Sequence, residues 1–85
     1  MTDRAEPTTE AYRGLLLRMH VFQAARGATA LNRTDWDYDV AIMDSDGALL
    51  SGPFYSSSGY GTQGDAQYAC AQRGRIVVDV LLADA

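Results

Sequence analysis

The sequence predicts a single small α+β domain, with a three- or four-stranded antiparallel sheet and one or two short helices on one face. Three observations predict it. Apolar and polar residues alternate over residues 35–55, with an Asp-Gly pair near the middle of this stretch. The segment that follows has helix start and stop signals. A chain of 85 residues is long enough to form one hydrophobic core. We assign residues 1–7 to a polar N-terminal tail and residues 8–85 to the domain.

The hairpin is predicted at Asp35 to Tyr55, with its turn at Ser45-Asp46-Gly47. A period of two separates two faces in its first strand. Trp36, Tyr38, Val40 and Ile42 fall on an apolar face, and Asp35, Asp37 and Asp39 fall on the other. The apolar face requires a core partner, because an isolated hairpin is marginally stable in water. The second strand, Ala48 to Ser56, contains Pro53, which indicates an edge strand or a bulge near Gly52.

The segments before the hairpin are less clearly patterned. Thr8 or Thr9 could cap a short helix that ends at Gly14. Leu15 to Ala25 fits either a strand or part of a helix from Thr9 to Arg26, and we favour the strand. A loop is expected over Gly27 to Thr34.

After the hairpin, Ser56 to Gly64 is expected to form a flexible glycine-rich loop. Asp65 offers an N-cap for a short helix, Ala66 to Arg73, and Gly74 would close it. The β-branched run from Ile76 to Leu82 is interpreted as a strand buried on both faces, with a terminal helix as the alternative.

Charge is concentrated in the hairpin. The chain has a net charge of −4, and Asp35, Asp37, Asp39, Asp44 and Asp46 occur there with no basic residue among them. Such a surface disfavours direct nucleic-acid binding, because the phosphate backbone would be repelled. The aspartate row is either a solvated face or a partner-binding surface for a basic protein.

Composition also bears on location. The single cysteine excludes an intramolecular disulfide and a cysteine-rich zinc site. No apolar run is long enough to span a membrane, and the N-terminal stretch lacks the apolar core of a signal peptide. We therefore expect a cytoplasmic protein.

Three motifs invite a chemical interpretation. Gly59 to Gly64 matches GxGxxG, but three serines precede it and Asp65 would repel a phosphate, so a loop is favoured over a nucleotide-binding turn. Asp44 to Gly47 resembles the opening of a calcium loop, but Pro53 occupies the position of the required Glu. We expect no cofactor and no metal.

The third motif is the pair of Cys70 and His20, which are the candidates for a thiol nucleophile and its base. The neighbours of Cys70 are alanines, so we expect a small buried thiol, and we expect His20 at a strand surface or core edge. The sequence predicts no catalytic residues and no enzyme.

From Tyr38 to Ser58, and again over Val80 to Ala85, the chain resembles small proteins of bacteriophages and prophages from GC-rich hosts. Phage-borne domains of this size and acidity resemble inhibitors of host defence, including anti-CRISPR proteins, which occupy basic surfaces of their targets. The resemblance implies a mobile-element origin, a bacterial host and a helical closing segment.

The leading hypothesis is an acidic protein that inhibits a host nucleic-acid-handling or defence complex through the five hairpin aspartates. A small nucleotide-binding enzyme that uses the glycine turn is one alternative. A self-associating protein, paired through Pro53 to Tyr55 or through the terminal run, is another.

Overall fold

The computed structural model describes residues 7–24, 35–56 and 59–83. It consists of an antiparallel sheet of four strands in the order β1-β2-β3-β4, followed by one helix that packs on β2 and β3. The elements are β1 (Thr8–Tyr12), β2 (Leu15–Ala24), β3 (Asp35–Met43), β4 (Leu49–Tyr55) and α1 (Gln63–Ala83). This architecture confirms the predicted α+β class. Residues 1–6 of the predicted tail (1–7) and the predicted loop at 27–34 lie outside the described residues.

The N-terminal segment forms a hairpin, so the short helix predicted from Thr8 or Thr9 is wrong. β1 and β2 are joined by Arg13 and Gly14, which both have positive φ, at 53° and 86°. Two successive residues with positive φ make the type of two-residue turn that matches the twist of paired strands. Gly14 therefore turns the chain between strands, where we expected it to end a helix.

The strand interpretation is confirmed over Leu15–Ala24, and β2 pairs with β3 from Leu16 to Ala24, while Ala25 lies outside the described residues. Leu17 lies opposite Ile42, Met19 opposite Val40 and Val21 opposite Tyr38. All six of these side chains are buried. Trp36 is partly buried against them, so the predicted apolar face of the hairpin is confirmed as the sheet's contribution to the core.

The turn between β3 and β4 lies at the predicted position. Gly47 has a φ of 91° and its amide donates to the Asp44 carbonyl at 2.9 Å. The Asp44 carboxylate accepts from the amides of Asp46 and Ala48 at 2.8 and 2.9 Å. An aspartate that bonds backbone amides further along the chain is a common stabiliser of such turns.

β4 is an edge strand with two register shifts, which confirms the inference from Pro53. Phe54 pairs with Val40, but Ser51 pairs with Ile42, so β4 has one extra residue in this interval. Gly52 has a φ of 99°, and a Cβ there would lie 3.0 Å from the Val40 carbonyl oxygen. Glycine is required at this bulge both for its backbone conformation and for the close approach of the strands.

The start of α1 differs from the prediction. Thr62, not Asp65, is the N-cap, because its hydroxyl oxygen accepts from the Asp65 amide at 3.0 Å. The preceding segment is fixed by Tyr60, whose amide and carbonyl both bond the backbone of Trp36 at 2.8 Å. Part of the glycine-rich segment that we predicted as a flexible loop is thus tied to β3.

α1 continues through the region predicted as a second strand, so the strand over Ile76 to Leu82 is wrong and the helical alternative is correct. Gly74 does not end the helix. It faces the sheet, where an added Cβ would lie 3.1 Å from both Leu17 and Val40. The buried helix residues Ala66, Cys70, Ala71, Gly74 and Val78 follow the spacing of one helical face. Small residues on that face let the helix lie close to the sheet.

Within the described residues, no helix combines the length and the apolar character needed to span a membrane.

Candidate binding face of the sheet

α1 covers only one face of the sheet, and no other described element packs on the opposite face. We call this opposite surface the open face. From β2, β3 and β4 it presents Leu16, Arg18, His20, Phe22, Asp37, Asp39, Ala41, Met43, Leu49, Pro53 and Tyr55. The aspartates of the hairpin therefore share their face with aliphatic and aromatic side chains.

A groove with a volume of about 420 Å³ runs over β2, β3 and β4 on the open face. Its lining is mostly apolar and includes Met43, Leu49 and Pro53, with the polar groups of Arg18, His20 and Asp39 among them. Apolar walls with a few convergent polar groups are typical of binding sites.

Two of the most exposed large apolar side chains border the open face. Leu49 is 58% exposed and lies opposite Met43, and Tyr55 is 62% exposed and lies opposite Asp39. The bulged register of β4 places Tyr55 beside Asp39. Tyr55 belongs to the segment Pro53 to Tyr55 that the sequence suggested for self-association, whereas Leu49 was not predicted as a site residue. Continued alternation in β3 to Ala41 and Met43 indicates an apolar end to the acidic row.

Asp39 and His20 are directly opposite each other in the β2–β3 register, and His20 Nδ1 lies 3.3 Å from Asp39 Oδ2. A hydrogen bond to an ionised carboxylate requires the proton on Nδ1, because such a carboxylate can only accept. The His20 ring also packs on Phe22 at 5.0 Å, and its Nε2 is buried without a partner in the described part of the chain. His20 is partly buried on a strand, as expected.

Asp37 is only 7% exposed, so the expectation that it presents a solvent-facing carboxylate is wrong. Ser56 continues the edge strand, and its hydroxyl donates to Asp37 Oδ1 at 3.0 Å. The Ser56 hydroxyl oxygen in turn accepts from the Tyr38 amide at 3.1 Å. Buried carboxylates require hydrogen-bond donors. The role of Asp37 in the structure is to anchor the end of β4.

The other predicted site residues are dispersed. Asp44 uses its carboxylate to stabilise the turn, and Asp46 is exposed at the tip. Asp35 begins β3, and its side chain lies outside the described residues. The structure brings Asp37 and Asp39 onto one face, but it does not form an even row of open carboxylates. Whether the five aspartates bind a partner remains a prediction.

Arg18 is the cation of the groove. It is exposed, lies opposite Ala41, and forms no ion pair within the described residues. The groove is therefore electrostatically mixed, with a positive group near one part of its wall and Asp39 near another.

Cys70 is fully buried between the helix and the sheet, which confirms the small buried thiol. Its Sγ lies 3.6 Å from the backbone oxygen of Asp39. Burial raises the pKa of the thiol to about 12, so the nucleophilic thiolate is scarce at neutral pH. His20 projects from the opposite face of the sheet, so the two residues do not form a nucleophile–base pair.

The glycine segment at 59–64 does not have the surroundings of a nucleotide-binding turn. It follows an antiparallel edge strand, Gly64 already lies in the first helical turn, and the exposed Asp65 places a negative charge at the helix start. A phosphate would be repelled there. Across residues 7–24, 35–56 and 59–83, no group of three or more His, Cys, Asp or Glu side chains could hold a metal ion.

Searches of the chain against protein-family models, curated proteins and solved structures found no match.

Proposed function

We propose that this chain is a binding protein that docks through the open face onto a partner segment with apolar and basic side chains. The observation that carries the proposal is that the helix covers one face of the sheet and leaves the grooved opposite face without a described cover. Exposed apolar groups such as Tyr55 and Leu49 on that face have an energetic reason to be covered by a partner.

The basic character of the partner follows from the charge at the hairpin. The net charge is −4, Asp39 retains a side-chain exposure of 26%, and Asp46 is exposed at the turn. A basic side chain above Tyr55 could contact Asp39, and a second one could contact Asp46. Arg18 disfavours a uniformly basic partner surface and sets its orientation, since like charges avoid each other.

The size of the open face sets the expected affinity. Strands of nine or ten residues and a four-stranded sheet give an area of roughly 30 by 15 Å, which is about 450 Å². A standard interface covers about 800 Å² on each partner. We therefore expect micromolar affinity from this surface alone.

The resemblance to phage and prophage proteins suggests where such a partner would be found. A nucleic-acid-handling or defence complex of the bacterial host carries basic surfaces, and an acidic protein that covers one of them would act as an inhibitor without chemistry of its own. In this proposal the activity is stoichiometric, and the site of action is the host cytoplasm.

The proposal is tested by selection from a displayed library of random peptides on the immobilised full chain. We expect enriched peptides that combine Arg or Lys with aromatic or aliphatic residues. Their affinity should fall between about 50 and 300 mM salt, because the charged part of the contact is screened.

Three variants then locate the peptide. Tyr55→Ala removes an exposed aromatic anchor and should weaken binding by about fivefold or more. Asp39→Asn should weaken it by about two- to fivefold, as expected for a partly exposed charge pair. Ile76→Ala on the outer side of the helix is the matched control and should bind as the unmodified chain does.

Two results would contradict the proposal. One is the absence of any enrichment over a blank surface. The other is enrichment of acidic peptides whose binding is lost in Arg18→Ala, because the groove would then select the opposite charge.

A further inference from the structure

The end of β4 is held to the rest of the fold through its backbone. The Tyr55 side chain is largely exposed, so packing of its ring does little to fix its position. The next residue, Ser56, donates from its amide to the Tyr38 carbonyl at 3.0 Å. The direction of the Tyr55 ring on the open face therefore depends on the backbone of residues 55 and 56.

The backbone carbonyl of Tyr55 points away from the sheet. In an antiparallel pair, successive residues of a strand direct their backbone groups alternately to one side and the other. Ser56 directs its amide to β3, so Tyr55 directs its own backbone groups to the free side of β4, which is the last strand of the described sheet. Such an outward carbonyl requires a donor that is not a strand.

Arg73 of α1 supplies this donor. Its Nη1 donates to the Tyr55 carbonyl oxygen at 3.0 Å. The central carbon of the same guanidinium lies 5.4 Å from the centre of the Phe54 ring, within the range of a cation–π contact. Phe54 in turn packs against the core. Arg73 therefore links the helix to the free edge of the strand that carries Tyr55.

We propose that Arg73 is a positioning residue of the open face, which holds the Tyr55 ring in place for the partner by binding the Tyr55 carbonyl. This role rests on the proposed function, because Tyr55 is an aromatic anchor for the partner there. Arg73 lies on α1, which covers the other face of the sheet, so it acts through Tyr55 and not by contact with the partner.

Charge and position have opposite effects on binding when Arg73 is removed. Arg73→Ala adds one negative unit to the net charge of −4, and this alone would strengthen the binding of a basic peptide. Loss of the bond to the Tyr55 carbonyl would weaken it. Weaker binding by Arg73→Ala therefore identifies a positioning role.

Titration calorimetry of the full chain with a selected basic and aromatic peptide is the first test. Arg73→Ala should weaken binding by about two- to fivefold. Arg73→Lys should restore part of the loss, because an ammonium group can still donate to the carbonyl. Arg75→Ala is the matched control: it removes the same charge from the same helix, but Arg75 bonds Glu10 of β1. It should bind at least as tightly as the unmodified chain.

A double-mutant cycle tests whether Arg73 acts through Tyr55. In the Tyr55→Ala background, Arg73→Ala should cause no further loss of affinity, because the ring that it holds is absent. The same fold loss in both backgrounds would show that Arg73 acts on binding by another route.

Amide hydrogen exchange of the full chain, measured without a peptide, tests the hold on β4 itself. The Ser56 amide should exchange about threefold faster or more in Arg73→Ala, because the end of the strand opens more often. The Ala48 amide at the other end of β4 bonds Asp44 at 2.9 Å and is the internal control. Its exchange should be unchanged.

Three results would overturn the proposal: equal or tighter peptide binding by Arg73→Ala, an undiminished loss in the Tyr55→Ala background, or unchanged exchange of the Ser56 amide. The exchange measurement needs no partner, so it separates this proposal from the proposed function. Absence of any peptide binding together with faster exchange would refute the proposed function and retain Arg73 only as the residue that holds the end of β4.

Discussion

Gly74→Ala tests the close approach of α1 to the sheet. An added Cβ would lie 3.1 Å from a Leu17 methyl group and 3.1 Å from a Val40 methyl group. Both residues are fully buried, and they belong to different strands. One rotamer change therefore cannot relieve both contacts.

Two effects of opposite sign decide the outcome. Replacing glycine by alanine inside a helix stabilises it by about 1 kcal/mol. Overpacking a filled core costs about 1 to 3 kcal/mol. We expect a net loss of about 1 kcal/mol in the free energy of unfolding, which corresponds to a fall of about 4 to 8 °C in Tm for a domain of this size.

Gly64→Ala is the matched control in the same helix. Gly64 is exposed in the first turn, where an added Cβ would meet only the Thr62 hydroxyl at 4.0 Å. It should stabilise the protein by a few tenths of a kcal/mol up to about 1. Urea and thermal unfolding of both variants measure the difference. If Gly74→Ala raised stability as much as Gly64→Ala, the packing of the helix against Leu17 and Val40 would be refuted.

Three further predictions concern single groups. Cys70 should react with a thiol reagent only when the protein unfolds, and prompt labelling of the folded chain would contradict this expectation. Burial raises the pKa of the Cys70 thiol from its ordinary value of 9.0 to about 12. The thiol's contribution to the free energy of unfolding should therefore be lost as the pH rises above 9.0. The hydrogen bond from Arg13 lowers the pKa of the Asp79 carboxyl, so the ionised group stabilises the fold above its ordinary pKa of 3.8 and loses that contribution as the pH falls. Acid titration should therefore destabilise the unmodified chain more than the Asp79→Asn variant. Equal acid sensitivity of the two chains would show that Asp79 makes no such contribution. Thr62→Ala removes the N-cap and should cost about 1 kcal/mol in urea unfolding, whereas Thr62→Ser should cost little; equal losses would show that the hydroxyl is not the cap.

The hairpin and the apolar side of β3 could be predicted from the sequence. Strict alternation from Trp36 to Ile42 fixes the two faces, and the Asp-Gly pair fixes the turn. Pro53 likewise fixed β4 at an edge, because it cannot donate to a neighbouring strand.

The ends of the chain were harder to predict, for physical reasons. A β-branched run such as Ile76 to Leu82 fits a strand by propensity, and only the packing of small residues such as Gly74 on the sheet selects the helix. At Arg13-Gly14 a non-glycine residue takes a positive φ, which local sequence seldom indicates.

The candidate site could be predicted only in part. Alternation placed Asp37 and Asp39 on one face, but it does not reveal their partners Ser56 and His20, which lie far from them in the sequence. The two register shifts in β4 place Tyr55 opposite Asp39, where an unshifted register would place it opposite Asp37. Such cross-strand contacts are set by the sheet as a whole, so alternation within one strand does not determine them.

The most direct test of the open face as a binding surface is a map of backbone amide shifts, recorded by NMR as a selected basic and aromatic peptide is added to the chain. We predict the largest shifts at residues of β2, β3 and β4 around His20, Asp39 and Tyr55, with small shifts on the outer side of α1. Shifts that cluster at Tyr68 and Ile76 and leave the groove unchanged would contradict the account.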